Sequence, residues 1–133
     1  MNKYGALQPS EFQVVSVISI AALRDPAVND DGTYKYSHDK EIMKYKIRLV
    51  LRIAVKHGHR KIVLGALGCG KLHNPPKDVA SAFLEVLREK EFQGGWWEQL
   101  IFAVLDNVDP KNSATAANGN FGNFFRTLDG KIV

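Results

Sequence analysis

Cysteine is almost absent from this chain of 133 residues, and the single Cys69 has no partner for an internal disulfide or a multi-cysteine zinc site. Such economy fits a reducing compartment, the cytosol or the nucleus. Long apolar runs are missing too. None approaches the roughly 20 residues that a spanning helix needs, and no secretory signal pattern opens the chain, so no membrane association is expected. Charge of one sign is scarce, because 18 Lys and Arg against 14 Asp and Glu leave a net +4. An excess this mild favours an anionic ligand slightly and does not predict nucleic-acid binding. No internal repeat is present. The composition, 45% hydrophobic and 24% charged, is that of a globular protein with one core. We therefore expect a single domain over residues 1–133, with 1–12 and 108–123 as flexible segments.

What is there reads as alternating strands and helices. Val14–Ile20, VVSVISI, is a nearly continuous apolar run of the kind expected for a parallel strand covered on both faces. Arg24–Tyr36, with Pro26, Asn29, Asp30, Asp31 and Gly32, reads as a surface loop. Ser37 or Asp39 should cap a helix running to about His57, with Met43, Ile47, Val50, Leu51 and Ala54 on its buried stripe. Lys44, Arg48, Arg52 and Lys56 repeat every four residues on the other side. Such a stripe is usually a solvated face and, less often, a track for a polyanion. Gly58 ends the helix, and a strand starts at Lys61. A second helix from Pro76 to about Lys90 should bury Val79, Phe83, Val86 and Leu87. Leu100–Leu105 reads as a third strand ending at Asp106. Phe124, Phe125 and Leu128 suggest a short closing helix. This order predicts an α/β fold, a mostly parallel sheet with helices on both faces in three layers. Right-handed crossovers gather the strands' C-terminal ends at one edge, where open α/β sheets bind ligands.

That edge holds the chain's most distinctive stretch, Lys61–Pro76, KIVLGALGCGKLHNPP. A β-branched run leads into Gly65, Gly68 and Gly70, which permit sharp turns and close approach to a ligand. Asn74 is a good N-cap, and Pro75 and Pro76 suit a first helical turn. Backbone N–H groups at such a junction suit phosphate. Gly65-x-x-x-x-Gly70-Lys71 imitates the phosphate loop of nucleoside triphosphatases. Leu72 replaces the hydroxyl residue that would hold magnesium, and Asn74-Pro75-Pro76 delays the helix.

The same stretch, read on through DVASAFLEVL and FAVLD, closely resembles the microbial-type poly(ADP-ribose) glycohydrolase family in the form common in fungi. The GALGCGxxxNPP signature and VVSVISIAALRDP both fit, and the resemblance covers roughly Phe12 to Asp106. It implies a macrodomain-like fold and ADP-ribose, or an ADP-ribosylated protein, as partner, with no cofactor or metal. It places Gly68, Cys69 and Gly70 along the diphosphate and distal ribose. Lys71 and Leu72 would flank the ribose, and Gly65 would lead into the loop. Asn74 would cap the helix beneath, and Ala21 and Ala22 would lie near the ligand. Asp106 and Asn107 would sit by the adenosine half, with Phe121 or Phe124 over adenine. The family also carries a Gly-Gly-Gly and a Gln-Glu-Glu segment, whose second Glu is its general acid. Neither occurs here, and Glu11 is the only carboxylate before Val14. The chain therefore reads as a truncated, ADP-ribose-binding member, weak or inactive as a hydrolase. An active hydrolase with its acid supplied elsewhere and an interaction module with a degenerate pocket are the alternatives. With few strands visible, an uncovered sheet edge invites a homodimer.

Other residues carry blander readings. Cys69 as a nucleophile lacks an activating base, although His73 is near in sequence, and a buried thiol is expected. His57 and His59 lack further metal ligands. One of Trp96 and Trp97 should pack on the core while the other could face a partner. Asp25, Asp30 and Asp31 read as loop-solubilising charges.

Overall fold

A computed structural model describes residues 5–108 and 118–133. The expected flexible stretches at 1–4 and 109–117 lie outside the described residues. Helix α1 spans Ser37–Lys56, strand β1 Lys61–Leu64, helix α2 Pro76–Leu87, strand β2 Gln99–Phe102 and helix α3 Asn120–Leu128. β1 and β2 are parallel neighbours, with Ile62 opposite Leu100 and Leu64 opposite Phe102. The α/β class and its parallel sheet are as expected.

All five predicted stripe residues of α1, Met43, Ile47, Val50, Leu51 and Ala54, are buried. They share a spacing of three or four residues, so one face meets α2's Val79, Phe83, Val86 and Leu87. The helix begins after Tyr36 with no side-chain cap, so neither Ser37 nor Asp39 is the N-cap. Gly58, at φ +77°, ends it as anticipated. Phe83 of α2, Phe102 of β2 and Phe124 of α3 form a triad with ring centroids 5.1–6.1 Å apart. That cluster fixes α2 and α3 to one face of the sheet, and α1 joins them by packing on α2, while Val63 and Ile101 point the other way and are exposed.

Two expectations need correction. Val14–Ile20 is not a strand: among the described residues no backbone hydrogen bond reaches 14–22, and Val14, Val15 and Val17 are exposed. Its extended course survives only through Ile18, Ile20 and Ala22, which alternate onto the core. Apolar character marks a segment that fits a sheet, but pairing requires a neighbour within hydrogen-bond reach. The basic stripe is not simply solvated either. Lys44 pairs with Glu85, Arg48 with Glu89 and Arg52 with Glu91, so three of its four residues clamp α1 to α2 and the turn beyond it. α3 opens at Asn120, and 9–11 form a 3₁₀ turn.

Trp97 packs against the core, while Trp96 bonds His59 O at 3.1 Å beneath the Arg60 guanidinium. No helix among the described residues is long and apolar enough to cross a membrane.

Candidate functional site

β1 runs directly into the loop 65–74, whose shape is held from inside. Cys69 N donates to Ala66 O, Asn74 N to Gly68 O and His73 N to Gly70 O, each at 3.0 Å. Asn74, almost wholly buried, is the centre of this construction. Its amide nitrogen donates to the carbonyls of Leu23 (2.7 Å), Gly68 (3.2 Å) and Leu72 (3.4 Å). Its oxygen accepts the Tyr34 hydroxyl at 2.7 Å. The expected capping role is therefore wrong. Pro75 occupies the N-cap position of α2, and Asn74 spends its polar atoms on the loop and the preceding segment.

Gly68 shows why glycine is needed here. At φ +73° a side chain would be strained, and a Cβ would lie 2.4 Å from Ala22 Cβ and 2.5 Å from the Asn74 amide nitrogen. Ala22 thus meets the loop as expected, but as packing beneath it. Gly70 faces the other way, and a Cβ there would meet nothing within 4 Å. The amides of Gly68, Gly70, Lys71 and Leu72 have no hydrogen-bond partner among the described residues. Lys71 is exposed beside them, and Leu72 is half-buried. A rigid loop with spare N–H donors, open space over one glycine and a lysine alongside can receive an anion. Ala21 is exposed, and Gly65 has room for a methyl group, its nearest neighbour being Ala103 O at 3.8 Å.

Asp106 and Asn107, in the stretch that follows β2, reach this loop through α3. Asp106 Oδ1 accepts from Asn107 N at 3.0 Å and from Phe121 N at 3.4 Å. Asn107 Oδ1 accepts from Asn120 N at 3.0 Å, and the Asn120 side chain donates to Cys69 O at 3.3 Å. A carboxylate here complements the positive end of the helix. Gly119 permits the approach, because a Cβ there would stand 2.4 Å from Asp106 Oδ1. Phe124 is buried in the core, which removes it as a lid over a base. Phe121 is half-exposed and stacked on Phe125 at 5.8 Å.

Several contributors were hidden in the sequence. Asp25 and His73 both adopt positive φ, +47° and +56°, and join at 2.6 Å across two loops. Asp25 N also donates to Leu72 O at 2.9 Å. Nothing in a lone Asp and a lone His 48 positions apart announces such a clasp. Tyr34 and Asn120 likewise gain their roles only through tertiary contact. As to chemistry, burial pushes the Cys69 thiol up to about 12, which leaves it protonated and unreactive. Among the described residues no group of three or more His, Cys, Asp or Glu could hold a metal ion.

An α/β module with a glycine loop at the C-terminal end of β1, braced by a buried asparagine, is macrodomain-like in class. Solved structures bear out that class. The chain is similar to the Deinococcus radiodurans poly(ADP-ribose) glycohydrolase in complex with ADP-ribose, at 35% identity over 70% of this chain and 34% of that one, with a TM-score of 0.57. The apo form of that enzyme matches at 36% identity, with the same coverage and a TM-score of 0.58. A variant of the Thermomonospora curvata poly(ADP-ribose) glycohydrolase matches at 29% identity over 71% of this chain and 33% of its own, with a TM-score of 0.60. The likeness is thus to bacterial glycohydrolases, and the chain spans about a third of their length. No family model matches the chain, and no curated protein does.

Proposed function

We propose that this chain is a poly(ADP-ribose) glycohydrolase-like module, folding as one unit and with a loop of the fungal form, that binds ADP-ribose free or attached to protein. The observation that carries the reading is the loop itself, with four uncommitted amides and open space over Gly70 on a frame fixed by Asn74. The diphosphate would lie along Gly68, Cys69 and Gly70, with Gly65 leading into the turn. Lys71 and Leu72 would flank the distal ribose, and Ala21 would line the rim. Asp106 and Asn107 would set the adenosine side indirectly, by holding Phe121 at the start of α3 where it can stack on adenine. ADP-ribose is a dianion, and a loop of backbone donors beside a lysine suits its charge.

In this proposal the 133 residues bind without cleaving. Glycosidic cleavage needs a positioned carboxylic acid. Glu11, the only carboxylate before Val14, is exposed and accepts Gln8 N at 2.7 Å in its own turn.

Titration calorimetry with ADP-ribose tests the reading. Heat from the parent chain and at least a tenfold affinity loss in Gly70→Val, with an unchanged thermal midpoint, are expected. Gly70 has space for the added carbons, so the variant should fold while filling the anion position. No heat from a folded parent chain would leave the loop as a structural turn. Release of ADP-ribose from a modified protein would overturn the non-cleaving half, and Glu11→Ala would then show whether Glu11 is the acid.

A further inference from the structure

The extended segment 14–20 and β1 face each other across a cleft of about 1140 Å³. Val14, Val15, Ile18 and Ile20 form one wall, Lys61–Leu64 the other, and Ile47 and Phe83 of the helices the floor. The segment runs in the same direction as β1, because Ala22 at its far end meets Gly68 just beyond β1. Among the described residues β1 is paired along one edge only, by β2, and its other edge opens into the cleft. The segment's own backbone groups have no partner among the described residues. Two extended stretches stand in one layer with the space of a missing strand between them.

The size agrees. Seven residues of strand, at about 3.3 Å per residue, 4.8 Å between neighbours and 10 Å through the sheet, need roughly 1,100 Å³.

We infer that a second copy of this chain fills the cleft, and that the two copies exchange their 14–20 segments. The arrangement closes on itself under two-fold symmetry. With the axis perpendicular to the sheet, each copy's segment enters the other's cleft, so the strand order becomes β2, β1, partner segment, own segment, and then the partner subunit's β1 and β2. Each cleft then receives one strand, and each segment gains a neighbour on both edges. No edge of either segment is left to recruit a third chain. The two segments are antiparallel at the axis, and each is antiparallel to the β1 it joins. The helices of both copies stay on one face.

The exposed residues favour this occupant over an unrelated strand. Val14, Val15 and Val17, exposed at 103%, 74% and 82%, are the β-branched residues that a central strand uses. Contact between ribbons about 10 Å tall, together with their seating on the helices, buries on the order of 1,400 Å² in all. Stable interfaces bury about 1,200–2,000 Å². The inference does not depend on ADP-ribose binding.

Light scattering coupled to gel filtration should give twice the chain mass of 14.8 kDa. Val17→Pro should give a monomer with unchanged helical circular dichroism, since Val17 makes no backbone hydrogen bond among the described residues of one copy but would lose its donor in the exchanged sheet. Single cysteines at Val15, Val17 and Ser19, near the axis and alternating with Ile18 and Ile20, should yield a covalent dimer on mild oxidation at one position at least. Cys69 is buried and does not interfere. A monomeric parent chain overturns the inference. So does a dimer that survives Val17→Pro and forms no cross-link at any of the three positions.

Discussion

Asn74 illustrates how one buried amide can define a loop. Its nitrogen and oxygen together serve four partners from three parts of the chain, the segment at Leu23, the loop at Gly68 and Leu72, and Tyr34. Asn74→Ala would leave buried carbonyls and a hydroxyl without partners, which costs about 2–4 kcal/mol at such a site. Tyr34→Phe removes one bond and should cost about 1 kcal/mol. Chemical denaturation of the three proteins checks the ranking, and equal midpoints for parent and Asn74→Ala would refute the bracing role. The sequence makes Asn74 conspicuous as a helix cap before two prolines, and that reading is reasonable locally. It fails because the chain's fold delivers Leu23 and Tyr34, 51 and 40 positions away, to the same side chain. The same limit applies to Asp25 and His73. Positive φ in a non-glycine residue is tolerated where neighbours over-determine it, and those neighbours are invisible to local sequence. Gly68 and Gly70 were legible as a pair but not in their division of labour. One gives room for Ala22 and Asn74 beneath the loop, and the other opens space above it.

Between elements, the seam of α1 and α2 combines an apolar stripe with a row of ion pairs. The stripe is readable because a helix repeats every 3.6 residues and buries one side. The ion pairs are not, because their acidic partners lie about 40 residues later, on α2 and the turn beyond it. Glu85 lies between Lys40 and Lys44, at 2.6 and 3.1 Å. Partial burial alone would raise its pKa. Hydrogen bonds from Lys40, Lys44 and Ser81 outweigh that and bring it from 4.5 down to about 2. Glu89 is lowered in the same direction by Arg48. A carboxylate held lower in the folded chain stabilises above its unfolded pKa, and that contribution is lost as pH falls through the folded one. Stability should therefore decline between pH 4.5 and about 2. Glu85→Gln should be less stable than the parent at neutral pH, and the gap should close across that window. Thermal midpoints against pH measure it, and a gap constant down to the acid limit would show that Glu85 acts through shape alone. Val14–Ile20 is the element that local pattern misjudged. Helices satisfy their backbones from within, so periodicity suffices to find them. A strand is a relation between two segments, and among the described residues this one has no hydrogen-bonded neighbour.

Viewed as a whole, the molecule is rich in helix contacts and poor in sheet. Two four-residue strands carry the described pairing, and the sheet face away from the helices leaves Val63 and Ile101 exposed. Sheets so small have little independent stability. If the cleft beside β1 is filled by the second copy's segment, pairing adds to the stability of both copies, and folding becomes tied to association. A species that exists only as a folded dimer gains stability with concentration by mass action. For two chains of 133 residues, a tenfold rise in concentration shifts the balance by about 1.4 kcal/mol. It should therefore raise the thermal midpoint by about 2–3 °C. Val17→Pro, monomeric and unable to pair, should melt lower and at a midpoint independent of concentration. ADP-ribose provides the contrast, since a ligand at the glycine loop raises the midpoint of both proteins without altering how either responds to dilution. A parent chain whose midpoint stays fixed over a hundredfold dilution would mean that the cleft contributes nothing to folding.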